Sequence, residues 1–240
     1  MTSKIITIVH LYPKEMNIYG DWGNVLTIKR RLEWHGYTPK IIEHHPNKPF
    51  PKNADIIIGG GGQDSGQSIV QNDLLAIGET LRALAEDGVP MLVICGLYQL
   101  FGRFFKTSEG KTIQGIGLFK AETHGGPKRL IGNTVVESQR FGTLIGYENH
   151  SGLTLLDNDQ PALGRVTKGK GNNGEDTTEG AVYRNVYGSY LHGSLLPKNP
   201  MLADELIRVA VTKRYGTFTP REIDDTFSTY AREIARHRPR

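Results

Sequence analysis

With 240 residues and 38% hydrophobic content, the chain can bury the core of one large domain or two small ones and reads as a soluble globular protein. No apolar run approaches the ~20 residues of a membrane span, the opening MTSKIITIVH carries no leader with a small-residue cleavage site, and a lone cysteine cannot make an internal disulfide, so a reducing cytoplasm is the expected compartment. The 29 basic and 25 acidic residues leave +4, partly in the tail over 232–240; without the aromatic interleaving of a nucleic-acid surface, that tail reads as a solvated end and no nucleic-acid partner is expected.

Residues 4–10 are a β-branched run of the kind buried in a parallel sheet, leading into the loop LYPKEMNIYGDWGN. Asn24 reads as the N-cap of a helix carrying Val25, Ile28 and Leu32 and stopping at Gly36. A second strand over 39–43, a loop punctuated by Pro46, Pro49 and Pro51, and a third strand over 54–58 follow, the last running into GGGGQDSGQ. Leu74, Ile77, Leu81 and Leu84 mark one further helix closed by Gly88, and a fourth strand over 91–94 ends at Cys95. This strand–helix rhythm implies an α/β fold with a mostly parallel sheet, helices on both faces, and sites at the carboxyl ends of the strands. The second half is strand-rich, with strands expected over 117–121, 129–136, 143–147, 163–166, 181–183 and 186–191. GKGNNGED, at 169–176, predicts an exposed, mobile loop. Asn199-Pro200 opens a helix to about Arg214 with Gly216 past its end, and the capping box Thr219-Pro220-Arg221-Glu222 opens a final basic helix and tail over 219–240. Nothing in the sequence divides the chain, so 1–240 reads as a single domain.

The chemistry concentrates where strands stop. Cys95 stands at a strand-to-helix corner with Gly96 behind it and Leu97, Tyr98, Leu100 and Phe101 at helical spacing beyond. A thiol there faces unpaired N–H groups and the positive end of a helix dipole, the setting of a nucleophile elbow, although a lone cysteine also serves as plain packing. The four glycines 59–62 sit at another strand end. They match no phosphate-loop pattern, which leaves half of an oxyanion hole, at Gly60 and Gly61 with Gly96 completing it, or merely a turn. His192 ends the strand over 186–191. His44, His45, His124 and His150 share no metal-ligand spacing, so no metal is expected.

The set LYPKEMNIYGDWGN, GGGGQD, ICGLYQ, RLIGN, YENHSG, GKGNNGED and YLHGSLLPKNP, spread over most of the chain, resembles the GatD-type glutamine amidotransferase subunits of lipid II isoglutaminyl synthases, within the CobB/CobQ branch of class I amidotransferases. The resemblance implies a three-layer α/β/α fold and a glutaminase with Cys95 as nucleophile and His192 as its base. It further implies L-glutamine as substrate, with Arg129 holding its α-carboxylate and Gln99 among the substrate-binding residues. The partner implied is a Mur-ligase-like synthetase in a heterodimer, carrying the ATP and Mg that this chain has no motif for, and meeting the inner membrane face through lipid II. A cobyric-acid-type amidotransferase with another acceptor, or a non-catalytic protein keeping the fold, are the other readings. Two positions depart from the family pattern: Leu97 stands where a second glycine is usual, and Ser194 stands where triad amidotransferases carry an acid two residues after the histidine. Glu148, Asp176 and Glu179 are the internal candidates for that acid; the expectation is that the partner supplies it, because Glu148 belongs to a separate strand and the other two to the loop read as mobile.

Overall fold

The computed structural model describes residues 4–238; residues 1–3, part of the segment read as lacking a leader, and residues 239–240 of the basic tail lie outside the described residues. The first half runs β1 (Ile5–Leu11), α1 (Trp22–Trp34), β2 (Thr38–His44), β3 (Ile56–Gly59), α2 (Asp64–Ala76), α3 (Gly78–Glu86), β4 (Met91–Ile94) and α4 (Gly96–Phe101). Then come β5 (Phe104–Lys106), β6 (Thr112–Gln114), β7 (Ala121–Ser138), β8 (Gly142–Leu156), β9 (Gly164–Lys168), β10 (Thr178–Glu179), β11 (Ala181–Tyr183), β12 (Val186–Ser189), α5 (Pro200–Tyr215) and α6 (Thr226–His237).

The first sheet has the order β11-β12-β4-β3-β1-β2, antiparallel only at β11. IIIG of β3 and MLVI of β4 are buried at every position, as strands covered on both faces must be. The step from β1 to β2 and the step from β3 to β4 run in opposite directions across the sheet, so right-handed crossovers put α1, with α5 packed on it, on one face and α2 to α4 on the other. The result is the three-layer α/β/α class. β1 and β3 are therefore the switch point, and a crevice opens beyond their carboxyl ends.

The second sheet, β10-β9-β7-β5-β6 with β8 on β7, is dominated by the β7–β8 hairpin. Its register runs from Ser138↔Gly142 to Ala121↔Leu156 and breaks between Gly125 and Leu130. The strands expected over 129–136 and 143–147 cover only the second half of β7 and the start of β8, which span 18 and 15 residues. Gly125, Gly126 and Pro127 disguise β7 as a turn, since glycine and proline are usually strand breakers. The segment 117–121 is a strand only at its last residue; Phe119 N–H bonds to the Phe101 carbonyl and Lys120 N–H to Gln160 Oε1 instead of joining a ladder. β12 stops at Ser189, and β5 and β6, three residues each, carry too little pattern to be read.

Three further expectations are corrected. The helix expected through Leu74 and Leu84 is two, joined at Ile77, and α2 begins as early as Asp64. Thr219 does not open the last helix, which begins after Asp225: Asp225 is drawn to the Arg31 guanidinium at 2.6 and 3.0 Å, and Arg221 N–H to His35 Nδ1 at 3.1 Å, so 217–225 is pulled off a helical path. Residues 169–176 are not a loose loop. Glu148 accepts the Lys170 and Gly171 N–H groups, and the fully buried Asn172 bonds to Tyr98 Oη, Thr178 Oγ1 and both backbone groups of Gly180.

Candidate active site

β4 delivers Cys95 into a strained turn, φ +49° and ψ −103°, a backbone state that a non-glycine residue keeps only when its surroundings enforce it. The enforcement is visible: Cys95 N–H donates to the Ser189 carbonyl at 2.8 Å, and its carbonyl accepts Gln99 N–H at 2.9 Å as the first bond of α4. Leu97 fits this elbow without a second glycine because it lies buried against Gly59 of the neighbouring strand, where no Cβ competes for the space.

β12 lies parallel to β4 with Ser189 beside Ile94, so the chain leaving β12 emerges next to the elbow. Three residues on, His192 is pinned by paired bonds with Tyr147, its N–H to the Tyr147 carbonyl at 2.8 Å and its carbonyl from Tyr147 N–H at 3.2 Å. Tyr19 packs edge-on against the ring, centroids 4.6 Å apart. Gly61 is the point around which the site closes: a methyl there would lie 2.8 Å from His192 Cε1, 3.1 Å from Cys95 Cβ and 3.4 Å from Asp21 Oδ2. Asp21 Oδ1 stands 3.4 Å from His192 Nδ1, while His192 Nε2 is buried without a hydrogen bond. Burial alone would push the imidazole down, but the Cys95 sulfur and the Asp21 carboxylate outweigh it and raise its pKa to about 10.

The carboxylate of this chain that faces His192 is that of Asp21, which corrects the three internal candidates Glu148, Asp176 and Glu179. Glu148 is buried under the Lys170 and Gly171 amides, and burial raises its pKa. Asp176 serves Asn173 and Thr178. Glu179, fully buried and raised by that burial to about 7, holds Ser189 Oγ and Tyr190 N–H at the end of β12. The sequence carries no local signal for Asp21, which stands 171 residues before His192 in a loop that reads only as the lead-in to a helix. Ser194 is the clue in hindsight: in place of an acid it donates to the Gly20 carbonyl at 2.8 Å and so docks the Asp21 loop beside the turn after His192. The loop is held further by Ile18 N–H to the Gly61 carbonyl and Trp22 N–H to Asn17 Oδ1.

The glycines need a second correction. Gly61 N–H donates to Asp21 Oδ2 at 2.7 Å and is committed, and Gly60 is packed against the Met16 carbonyl and the Asp21 side chain. Gly62 instead lines the cleft with Cys95, and its amide nitrogen lies 2.9 Å from where a Gly96 Cβ would be. Beyond the thiol that cleft is walled by Tyr19, Gln63, Arg129, Asn149 and His150. The break in the β7–β8 register swings Arg129 to its mouth, where Nη1 donates to Asn149 Oδ1 at 2.9 Å and to the Asn149 carbonyl at 3.2 Å. Gln99 also lines it, but its Oε1 accepts from Gln67 at 2.7 Å and its Nε2 donates to Tyr190 Oη at 3.0 Å, so it braces the floor. A roomier cavity of about 520 Å³ between Glu137 and Tyr187 touches none of Cys95, His192 and Asp21. Among the described residues no group of three or more His, Cys, Asp or Glu is placed to hold a metal, and no helix is long and apolar enough to cross a membrane.

Gly61→Ala is expected to fold and to lose turnover by roughly 100-fold or more, because overpacking costs ~1–3 kcal/mol while ~1 Å of misplacement suffices for such a rate loss. Glutamate release and a melting curve on the same sample check both halves; near-normal turnover would mean that the three side chains do not close on this glycine.

Residues 7–200 match the CobB/CobQ-like glutamine amidotransferase domain. The lipid II isoglutaminyl synthase (glutamine-hydrolyzing) subunit GatD of Staphylococcus aureus is 36% identical over 95% of this chain and 94% of its own length. The subunit of the same name from Streptococcus pneumoniae is 42% identical over 88% of this chain and 82% of its own. A crystal structure of a glutamine amidotransferase superposes with a TM-score of 0.58 at 16% identity, over 84% of this chain and 98% of that one, a likeness of fold. The chain belongs to the CobB/CobQ-like glutamine amidotransferase family, as a glutamine amidotransferase subunit of the GatD type.

Proposed function

We propose that this chain is the glutaminase half of a lipid II isoglutaminyl synthase and that Cys95, His192 and Asp21 carry the hydrolysis. The observation behind the reading is the closure of all three side chains around Gly61 at a strained strand-to-helix corner. His192 takes the thiol proton, and the thiolate attacks the side-chain carbonyl of glutamine. The Gly62 and Gly96 amides face the developing oxyanion. His192 then returns the proton to the nitrogen as the C–N bond breaks, leaving a thioester and ammonia. Water, deprotonated by the same imidazole, cleaves the thioester to glutamate and restores the thiol. Asp21 holds the Nδ1–H tautomer and stabilises the imidazolium, the part a third member plays in such relays.

The ammonia passes to a Mur-ligase-like synthetase subunit that holds ATP and Mg and amidates the D-glutamate of the lipid II stem peptide, in the reducing cytoplasm where a free thiolate survives. The identities over nearly the whole length of two subunits named for lipid II isoglutaminyl synthase support this acceptor. Glutamine-dependent amidation of lipid II by the chain purified with its synthetase tests it; amidation that proceeds on free ammonia but never on glutamine would overturn it. Arg129 grips the α-carboxylate in this reading. Arg129→Ala is then expected to raise KM by roughly 10- to 100-fold, the range for losing a charge-assisted bond, with a smaller change in kcat. A pure kcat effect would assign Arg129 elsewhere.

A further inference from the structure

Tyr19 is a side chain of the cleft wall that reaches both ends of the site. Its ring packs edge-on against His192 at 4.6 Å between centroids, and its hydroxyl stands 3.5 Å from Arg129 Nη1. It lines the cleft with Cys95, is partly buried, and lies outside the hydrophobic core. Both of its chain neighbours are tied down: Ile18 N–H donates to the Gly61 carbonyl at 3.0 Å, and the Gly20 carbonyl accepts from Ser194 Oγ at 2.8 Å. With two side-chain torsions on a fixed backbone, the phenol is a stiff strut between the base and the arginine. At the other end of the strut, the hydrogen bonds of Arg129 converge on Nη1, which donates to Tyr19 Oη at 3.5 Å, Asn149 Oδ1 at 2.9 Å and the Asn149 carbonyl at 3.2 Å. Nη2 and Nε bond to no described residue, which leaves open the fork of donors that matches a carboxylate. The tyrosine contact is long for a hydrogen bond, and contacts of this kind tighten when a bound substrate closes the site.

We propose that Tyr19 is a positioning residue that fixes the spacing between Arg129 and His192 and thereby gauges the length of glutamine. The inference rests on the glutaminase reading above, with Arg129 as the grip on the α-carboxylate. A glutamine held by that grip must bring its carboxamide carbon to the Cys95 sulfur, and ~1 Å of misplacement is enough to slow such a step by ~100-fold. Grip and base stand on different elements, Arg129 within β7 and His192 beyond the end of β12, and Tyr19 touches both. Asparagine carries the same two ends one methylene closer together. With the spacing held, its amide falls short of the thiolate when its carboxylate is on Arg129. With the strut gone, Arg129, exposed at the mouth, is free to follow the shorter chain inward. Apolar pocket contacts discriminate a single methylene by ~10- to 200-fold, and a fixed distance between a charged grip and a nucleophile adds to that.

The test uses the full chain with its synthetase present and splits the strut into its two ends. Tyr19→Phe keeps the ring on His192 and loses the hydroxyl. Its KM for glutamine is expected to rise about 5-fold, a modest loss because the contact is long, with kcat within about twofold of wild type. In an Arg129→Ala background the same change should move KM by less than about twofold, since the hydroxyl then has no guanidinium to orient. Tyr19→Ala removes the strut. Its kcat/KM for glutamine should fall at least ~30-fold, while the ratio of kcat/KM for glutamine over that for asparagine, read as glutamate against aspartate release, falls at least ~5-fold. A ring that only packs would instead cost both substrates the same factor and add in full to Arg129→Ala. That result would overturn the proposal, as would an unchanged KM in Tyr19→Phe or asparagine turnover that stays beneath detection in Tyr19→Ala. If a melting curve shows that Tyr19→Ala does not fold, Tyr19→Phe and its pairing with Arg129→Ala still decide. A wild-type chain that releases no glutamate from glutamine, with its synthetase or without, would take down the glutaminase reading itself, a different result from any of these.

Discussion

Cys95→Ala is expected to release no glutamate above background, a loss of at least ~10⁴-fold, because without the thiolate there is no thioester and the remaining donors can only bind substrate. The protein should still fold. Cys95 is 7% exposed at the rim of the core, and trimming one sulfur from a small side chain removes little buried surface compared with the ~2–5 kcal/mol of a Leu→Ala change. The enforced φ of +49° is unchanged by the substitution, so no strain is added or released. A coupled glutamate assay beside a thermal melt gives both answers, and glutamate release at the wild-type rate would remove Cys95 from the mechanism.

Asp21→Asn is the second large effect. The carboxylate accepts from two sides, His192 Nδ1 at 3.4 Å and Gly61 N–H at 2.7 Å. An asparagine can present one oxygen and one NH2. If the oxygen keeps Gly61, the NH2 faces His192 and favours the tautomer with the proton on the wrong nitrogen; if it keeps His192, the NH2 opposes the Gly61 N–H. Either way kcat is expected to fall ~10²–10⁴-fold with little change in KM, the pattern of a group that orients the base. The pH dependence carries a sign that a packing defect would not reproduce. Asp21 is one of the two influences that raise the His192 pKa to about 10. Removing a negative neighbour destabilises the imidazolium, so the limb of the kcat/KM profile that reports His192 should move to lower pH. A profile that keeps its limbs while only its height falls would mean that Asp21 acts on the backbone at Gly61 and not on the ring.

How much of this was legible depended on the distance over which each feature is fixed. Cys95 was readable because an apolar strand, a glycine and a helical repeat lie in one short stretch, and β4 and α4 follow that reading closely. His192 reads as ending a strand over 186–191; the strand stops at Ser189, three residues before it, but β12 does lie parallel beside β4, as the strand–helix rhythm implies. Asp21 was not readable. Its place is set by Ser194 on Gly20, Ile18 on Gly61 and Trp22 on Asn17, and two of those three contacts join segments far apart in the chain. The same holds for Gly61, which from a run of four glycines was indistinguishable from Gly62; only the Asp21 carboxylate on its N–H separates them. Residues 217–225 repeat the lesson, since a local capping box at Thr219 loses to the pull of Arg31 on Asp225 and of His35 on Arg221. Pattern also failed for β7 and β8, where Gly125, Gly126 and Pro127 sit inside a long strand that pairing, rather than propensity, sustains.

The central claim is that the hydrolytic relay is complete within this chain. The most direct measurement is glutamate release by the purified chain, alone and with its synthetase, for wild type and Asp21→Asn side by side. The account predicts glutamate from wild type alone, and a loss on Asp21→Asn of the same factor with and without the synthetase. A wild-type chain that is silent alone and active only in the complex, with Asp21→Asn as active as wild type there, would contradict it and put the third member of the relay on the other subunit.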